Sequence, residues 1–66
     1  MKQVKEMPTS GQFVAVWQYD GDIYCDTLKY DLGVIYSYQE NENDYFYKIE
    51  DPYFYKSLGA KYFIAD

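Results

Sequence analysis

The stretch that decides the fold is residues 13–30, which read FVAVWQYDGDIYCDTLKY. Both halves are rich in β-branched and aromatic residues, which favour strands. Between them lies Asp20-Gly21, a dipeptide that suits a two-residue type I′ hairpin turn because both central positions need positive φ. We therefore predict an antiparallel hairpin in which Tyr19 faces Asp22 across the turn.

This register sorts the side chains of the hairpin onto two faces of the sheet, because successive residues of a strand point in opposite directions. The predicted pairs are Trp17–Tyr24 and Phe13–Leu28 on one face, and Val16–Cys25 and Val14–Thr27 on the other. Pairs of this kind contribute about 0.2–1 kcal/mol each. Aromatic and aliphatic pairing therefore supports the hairpin along its whole length.

A second hairpin is predicted to follow the first one directly. Residues 31–33, Asp-Leu-Gly, suit a three-residue connection with Gly33 in the left-handed conformation. The next strand covers 34–39, and in this register Tyr36 lies opposite Leu28, on the face that carries Trp17. Polar residues 40–44 predict a loop, and 45–49 a further strand. The four strands together form a meander.

The C-terminal part of the chain carries helix signals before a last strand. Asp51 can cap a helix, Pro52 suits its first position, and Gly59 provides a stop. Residues 60–64 then predict a short strand. The fold class is therefore small and all-β: an antiparallel meander of four to five strands or an SH3-like small barrel, with one short helical turn before the last strand.

The element order resembles that of SH3-like small barrels. The nearest piece to the acidic-aromatic peptide-binding motif of true SH3 domains is residues 17–20, Trp-Gln-Tyr-Asp, and the full motif is absent. The resemblance implies a peptide-binding or scaffold module that uses an aromatic groove. Closure into a barrel would remove exposed strand edges, which small β proteins must otherwise protect.

Length and composition limit the chain to one domain. We divide its 66 residues into an N-terminal leader, 1–11, partly irregular, and a single small β domain, 12–66. With 48% hydrophobic and 23% aromatic residues, the chain differs from a disordered acidic tail. The single cysteine suits a reducing compartment, and no apolar run approaches the length that spans a bilayer. We expect a soluble, cytoplasmic protein without membrane contact.

The residue inventory excludes most familiar active sites. The chain has no His, no Arg and one Cys, so a Cys/His zinc site and a histidine proton relay are excluded. Cys25 therefore has no histidine to activate it. Residues 40–51 match an EF-hand calcium loop only in part, since its sixth position is Tyr45 rather than Gly. We predict no enzyme, no cofactor and no metal site.

Negative charge is concentrated in the middle of the chain. Of the net charge of −5, residues 20–51 contribute −7, from nine acidic residues against two lysines. Direct nucleic-acid binding is therefore disfavoured, because phosphate contacts need Lys or Arg. Alternate turns of a meander emerge at the same end, which would group five carboxylates there. The grouped carboxylates are Asp20, Asp22, Glu40, Glu42 and Asp44.

These residues define the predicted partner-binding site, together with the aromatic residues Trp17, Tyr36 and Tyr38. The hypothesis is a non-catalytic, acidic protein-binding protein whose partner has a basic surface. A sharper version is a bacteriophage-type inhibitor whose carboxylates imitate phosphates and block a nucleic-acid-handling enzyme. The alternatives are solvated acidic loops without a partner, the SH3-like module, an aromatic cage for methylated lysine, and a homodimer formed through an unclosed sheet edge.

Overall fold

Within the residues that the structure describes, the chain forms a six-stranded antiparallel sheet with one short helix. The computed structural model describes residues 1–39, 45–49, 51 and 53–65. The strands are β1 (Lys2–Val4), β2 (Gly11–Tyr19), β3 (Asp22–Asp31), β4 (Val34–Gln39), β5 (Tyr45–Lys48) and β6 (Lys61–Ile64), and the helix α1 (Phe54–Ser57) precedes β6. The strand order is β1-β6-β2-β3-β4-β5. The predicted small all-β fold with a helical turn before the last strand is confirmed, as an open sheet and not a barrel.

The first hairpin, β2–β3, has the predicted register. Its pairs run from Tyr19↔Asp22 next to the turn to Gly11↔Tyr30 at the far end. The turn residues have positive φ, 51° at Asp20 and 84° at Gly21, as a type I′ turn requires. Local turn chemistry and the strand pattern therefore agree along this hairpin.

The second hairpin, β3–β4, differs from the prediction by one residue. Only Leu32 and Gly33 lie outside the strands, because Asp31 pairs with Val34. Leu32 adopts φ 50°, a left-handed conformation that a leucine rarely takes. The three-residue connection was therefore wrong. Leu28 faces Ser37 rather than Tyr36, and Tyr36 pairs with Lys29.

The leader supplies one edge of the sheet. Its strand β1 pairs with β6, with Val4 opposite Tyr62, and β6 in turn pairs with β2, with Ala15 opposite Tyr62. Three residues are too few to show the alternation that predicts a strand. The last strand therefore lies inside the sheet and joins the leader to the first hairpin.

The core lies on one face of the sheet, beneath α1 and the leader. Its buried hydrophobic residues are Phe13, Ala15, Leu28, Ile35, Tyr55 and Tyr62. Two of these rings, Phe13 and Tyr62, meet edge to face at 6.1 Å. Burial raises the pKa of the Tyr62 hydroxyl above its ordinary value of 10.0. Ser37 is a fully buried polar residue of the same face.

The predicted helical turn begins and ends near its sequence signals. Asp51 Oδ1 accepts a hydrogen bond of 3.0 Å from the Tyr53 amide, while Pro52 lies outside the described residues. At the other end Gly59 has φ 71°, and its amide donates to the Lys56 carbonyl at 3.0 Å. A glycine in this conformation is the common way to end a helix.

Candidate functional site

A cluster of aromatic rings lies at the turn end of the first hairpin, on the face of the sheet that carries α1. The rings of Trp17 and Tyr24 stack at 6.0 Å with 17° between their planes. From the helix, the rings of Phe54 and Tyr55 approach Trp17 edge-on at 6.5 and 5.5 Å. Offset stacking and edge-to-face contact are the favoured geometries of aromatic pairs. The helix and hairpin are therefore joined through Trp17.

The outer part of this cluster, with the neighbouring Tyr19, is open to solvent. We call Trp17, Tyr19, Tyr24 and Phe54 the aromatic patch; the last three are 64%, 43% and 46% exposed, and Trp17 is half-buried among them. Tyr19 lies two residues beyond Trp17 and so shares its face of the sheet. Exposed aromatic side chains gathered on one face in this way are typical of interaction sites rather than of scattered surface residues.

A hydrogen bond on the inner side of the patch helps to hold the helix in place. The hydroxyl of Tyr55, which is 2% exposed, donates to Asp26 Oδ2 at 2.8 Å. Asp26 belongs to β3 and lies two residues from Tyr24, on the same face. Because Tyr55 is fixed in this way, its neighbour Phe54 is presented at the edge of Trp17.

Two carboxylates border the patch at the hairpin turn. Asp20 occupies the turn itself, and Asp22 faces Tyr19 in the first residue pair after it. Both are exposed, and among the described residues neither forms an ion pair with a lysine. The described part of the patch therefore combines apolar ring surface with uncompensated negative charge.

The other predicted carboxylates, Glu40, Glu42 and Asp44, lie outside the described residues. β4 runs in the same direction as β2, so its end points towards the end of the sheet that carries Asp20. It stops well short of the turn, however. From the pair Leu28↔Ser37, β3 continues for six residues to Asp22, about 20 Å, whereas β4 continues for two residues to Gln39, about 7 Å.

The remaining predicted site residues, Tyr36 and Tyr38, lie on the opposite face of the sheet from Trp17. This follows from the corrected register of the second hairpin, and their expected placement beside Trp17 was wrong. Both are half-buried, and the ammonium group of Lys29 lies 5.4 Å from the centre of the Tyr36 ring. Their role in binding a partner stays a prediction.

Sequence reasoning did not single out Phe54 as a member of the patch or Asp26 as the partner of Tyr55. One signal was available for Asp26, since the predicted register already placed it on the face of Trp17, two residues from Tyr24. No comparable signal existed for Phe54. Its position depends on how the helix packs across the sheet, which strand alternation does not specify.

The described residues show neither a metal-binding cluster nor a membrane-spanning helix. These contain no group of three or more Cys, Asp or Glu side chains arranged to hold a metal ion. None of the helical residues among them belongs to a helix long and apolar enough to cross a bilayer. No protein-family model, curated protein sequence or solved structure matches this chain.

Proposed function

We propose that this chain is a non-catalytic protein-binding protein whose contact surface is the aromatic patch with its bordering carboxylates. The observation that carries the proposal is the position of Asp20 and Asp22, exposed and without a lysine partner among the described residues, next to three exposed rings. Large aromatic side chains dominate binding energy at protein interfaces. The partner would present a basic surface.

The chemistry of the patch favours arginine on that partner. A guanidinium group stacks on aromatic faces, such as those of Tyr24 and Trp17, and also forms two parallel hydrogen bonds with a carboxylate. Asp22 lies two residues from Tyr24 along β3, on the face that carries Trp17 and Tyr24. The carboxylates would steer the encounter, and the rings would supply contact area.

A sharper form of this proposal is an inhibitor of a nucleic-acid-handling enzyme, of the kind that bacteriophages make. Its support is the charge of −7 within residues 20–51, which lets carboxylates occupy a site that normally binds phosphates. Such an inhibitor would act in the cytoplasm, where a single cysteine stays reduced. This form places part of the contact at Glu40, Glu42 and Asp44.

The second candidate is a peptide-binding or scaffold module in which the rings act with little help from charge. The exposed fractions of Tyr19, Tyr24 and Phe54 favour it, because together they offer apolar surface independent of the carboxylates. Salt distinguishes the two candidates. Binding steered by carboxylates weakens steeply between about 50 and 500 mM salt, whereas binding in an aromatic groove changes little.

The test begins with the tagged protein as bait in its native host, followed by mass spectrometry of the captured proteins. Affinity for the captured partner is then measured for Tyr19→Ala and for Asp20→Asn/Asp22→Asn. Each should weaken binding by about tenfold or more, and the loss in the double variant should shrink at high salt. The matched control is Asp31→Asn, an exposed carboxylate at the opposite end of the hairpin.

Two results would contradict the proposal at different levels. Equal loss per charge removed in Asp31→Asn and in Asp20→Asn/Asp22→Asn, with no loss in Tyr19→Ala, would mean that net charge matters and the patch does not. For the inhibitor form, the protein should reduce its target's binding to DNA or RNA. Charge reversal at Glu40, Glu42 and Asp44 should abolish that competition, and unchanged competition would rule out phosphate mimicry.

Sedimentation at two protein concentrations tests the separate prediction of a homodimer.

A further inference from the structure

A groove of about 640 Å³ lies on the same face of the sheet as the aromatic patch, towards the opposite end of the hairpin. Tyr30, Ile35 and Tyr62 form its floor, and Met7 of the leader lies along one side. The groove is lined by Tyr53, which directly precedes the helix, and by Lys56 of the helix, whereas Phe54 and Tyr55 contact Trp17. The short helix therefore separates two distinct surfaces.

The interior of the groove suits an apolar ligand. Ile35 and Tyr62 are buried in the core, and Tyr30 and Met7 are half-buried against it. A volume of about 640 Å³ lies within the range of small-molecule sites, which are concave and mostly apolar. Met7 and Tyr30 keep some solvent-exposed surface in this groove, which a bound apolar body would cover.

The rim of the groove has the opposite charge to the rest of the protein. The chain has six lysines against eleven acidic residues, and two of those lysines, Lys5 and Lys56, line this groove. Neither lysine forms an ion pair within the described residues. The acidic lining residue is Glu6. Two ammonium groups beside an apolar floor are complementary to a molecule with an acidic head and an apolar body.

We propose that the groove binds a small organic anion of this kind, with its carboxylate at Lys5 and Lys56 and its hydrocarbon part on Tyr30 and Met7. The inference is independent of the proposed protein-binding function, because it concerns other residues. The leader contributes directly to the site through Lys5 and Met7. Strand β1 holds the leader beside β6 and so places these residues at the groove.

The test uses decanoate as the probe, with decyltrimethylammonium as a control of the same chain length and opposite charge. Both are titrated below their micelle concentrations into the isotopically labelled full chain and followed by NMR. Decanoate should shift the signals of Met7, Ile35 and Ala60 and should bind about tenfold or more tightly than the cation. Weaker or equal binding of decanoate, or shifts confined to residues elsewhere, would overturn the proposal.

Lysine variants test the head-group contact. Lys5→Gln/Lys56→Gln should weaken decanoate binding by about five- to thirtyfold and leave the affinity for the cation unreduced. The control is Lys61→Gln, an exposed lysine of β6 that does not line this groove. Since all three positions are exposed, each variant should keep the thermal midpoint of the wild type. Equal loss in the control, or no loss in the double variant, would contradict the assigned head-group site.

Discussion

The two hairpins of this protein share a strand and a turn geometry but differ in what fixes them. Their central turn residues have nearly the same φ values, 51° and 84° at Asp20-Gly21 and 50° and 80° at Leu32-Gly33. Aspartate is tolerated in the left-handed conformation, whereas for most other residues it costs about 1–2 kcal/mol. Local chemistry favours the first turn and opposes the second.

The second turn must therefore be imposed by packing. Its register turns Ile35 and Ser37 towards the core face, where they are 4% and 0% exposed, and sets Ser37 against Leu28. A register shifted by one residue would turn Tyr36 inward and expose Ile35. The first hairpin needs no such compensation, since nine residue pairs, strand β6 and the helix all support it. Two turns of the same geometry can therefore have different causes, which are residue preference in the first hairpin and core packing in the second.

The largest change in stability is expected from removing the hydrogen bond that ties the helix to the first hairpin. Tyr55→Phe removes the hydroxyl that donates to Asp26 at 2.8 Å and leaves that part-buried carboxylate without this donor. We expect the free energy of unfolding to fall by about 1–2 kcal/mol, measured by urea denaturation. The neighbouring Tyr53→Phe is the control, because Tyr53 is 71% exposed and its change should have almost no effect.

A double-mutant cycle with Asp26→Ala assigns the loss to the pair. The combined variant should lose about 0.5–1.5 kcal/mol less than the sum of the single variants, because each change removes the same bond. Strictly additive losses would show that the hydroxyl and the carboxylate act separately. In that case the bond between them would add nothing to the contacts that hold the helix against the sheet.

The contrast between the hairpins also explains what the sequence could predict. Asp20-Gly21 lies between two strongly patterned strands, so the register of β2–β3 followed from local rules down to each pair. Leu32-Gly33 resembles a longer loop, because leucine is an unusual first residue of a type I′ turn. The error of one residue placed Tyr36 and Tyr38 on the face of Trp17, whereas the observed register puts them on the opposite face.

Non-local packing accounts for the other differences. Strand β1 is three residues long and forms only because β6 offers it an edge to pair with. The position of Phe54 beside Trp17 depends on the bond between Tyr55 and Asp26, which joins residues 29 positions apart. The groove beside Lys5 and Lys56 depends on the leader as well. These features arise from the assembled sheet, which no single stretch of sequence encodes.

A smaller change in stability is expected from replacing Leu32, whose side chain disfavours the left-handed conformation of the second turn. Leu32→Asn places a residue that readily adopts the left-handed conformation at φ 50°, and little burial is lost because Leu32 is 95% exposed. Stability should rise by about 0.5–1 kcal/mol. Asp20→Asn, at the matching position of the first turn, should change stability very little. A gain at Asp20 equal to that at Leu32 would contradict the view that only the second turn is opposed by its own residues.

The smallest change in stability is expected from Tyr62, which lies opposite Ala15 where β6 pairs with the first hairpin. This change is absent at neutral pH. Burial raises the pKa of this hydroxyl in the folded protein above the 10.0 of an exposed tyrosine. The folded state therefore holds its proton more tightly, so this stabilisation is complete below pH 10 and is lost as pH rises through the raised pKa. Unfolding by urea at a series of alkaline pH values should show a decline that Tyr62→Phe makes shallower. Parallel declines in the wild type and the variant would mean that ionisation of groups other than Tyr62 limits stability in alkali.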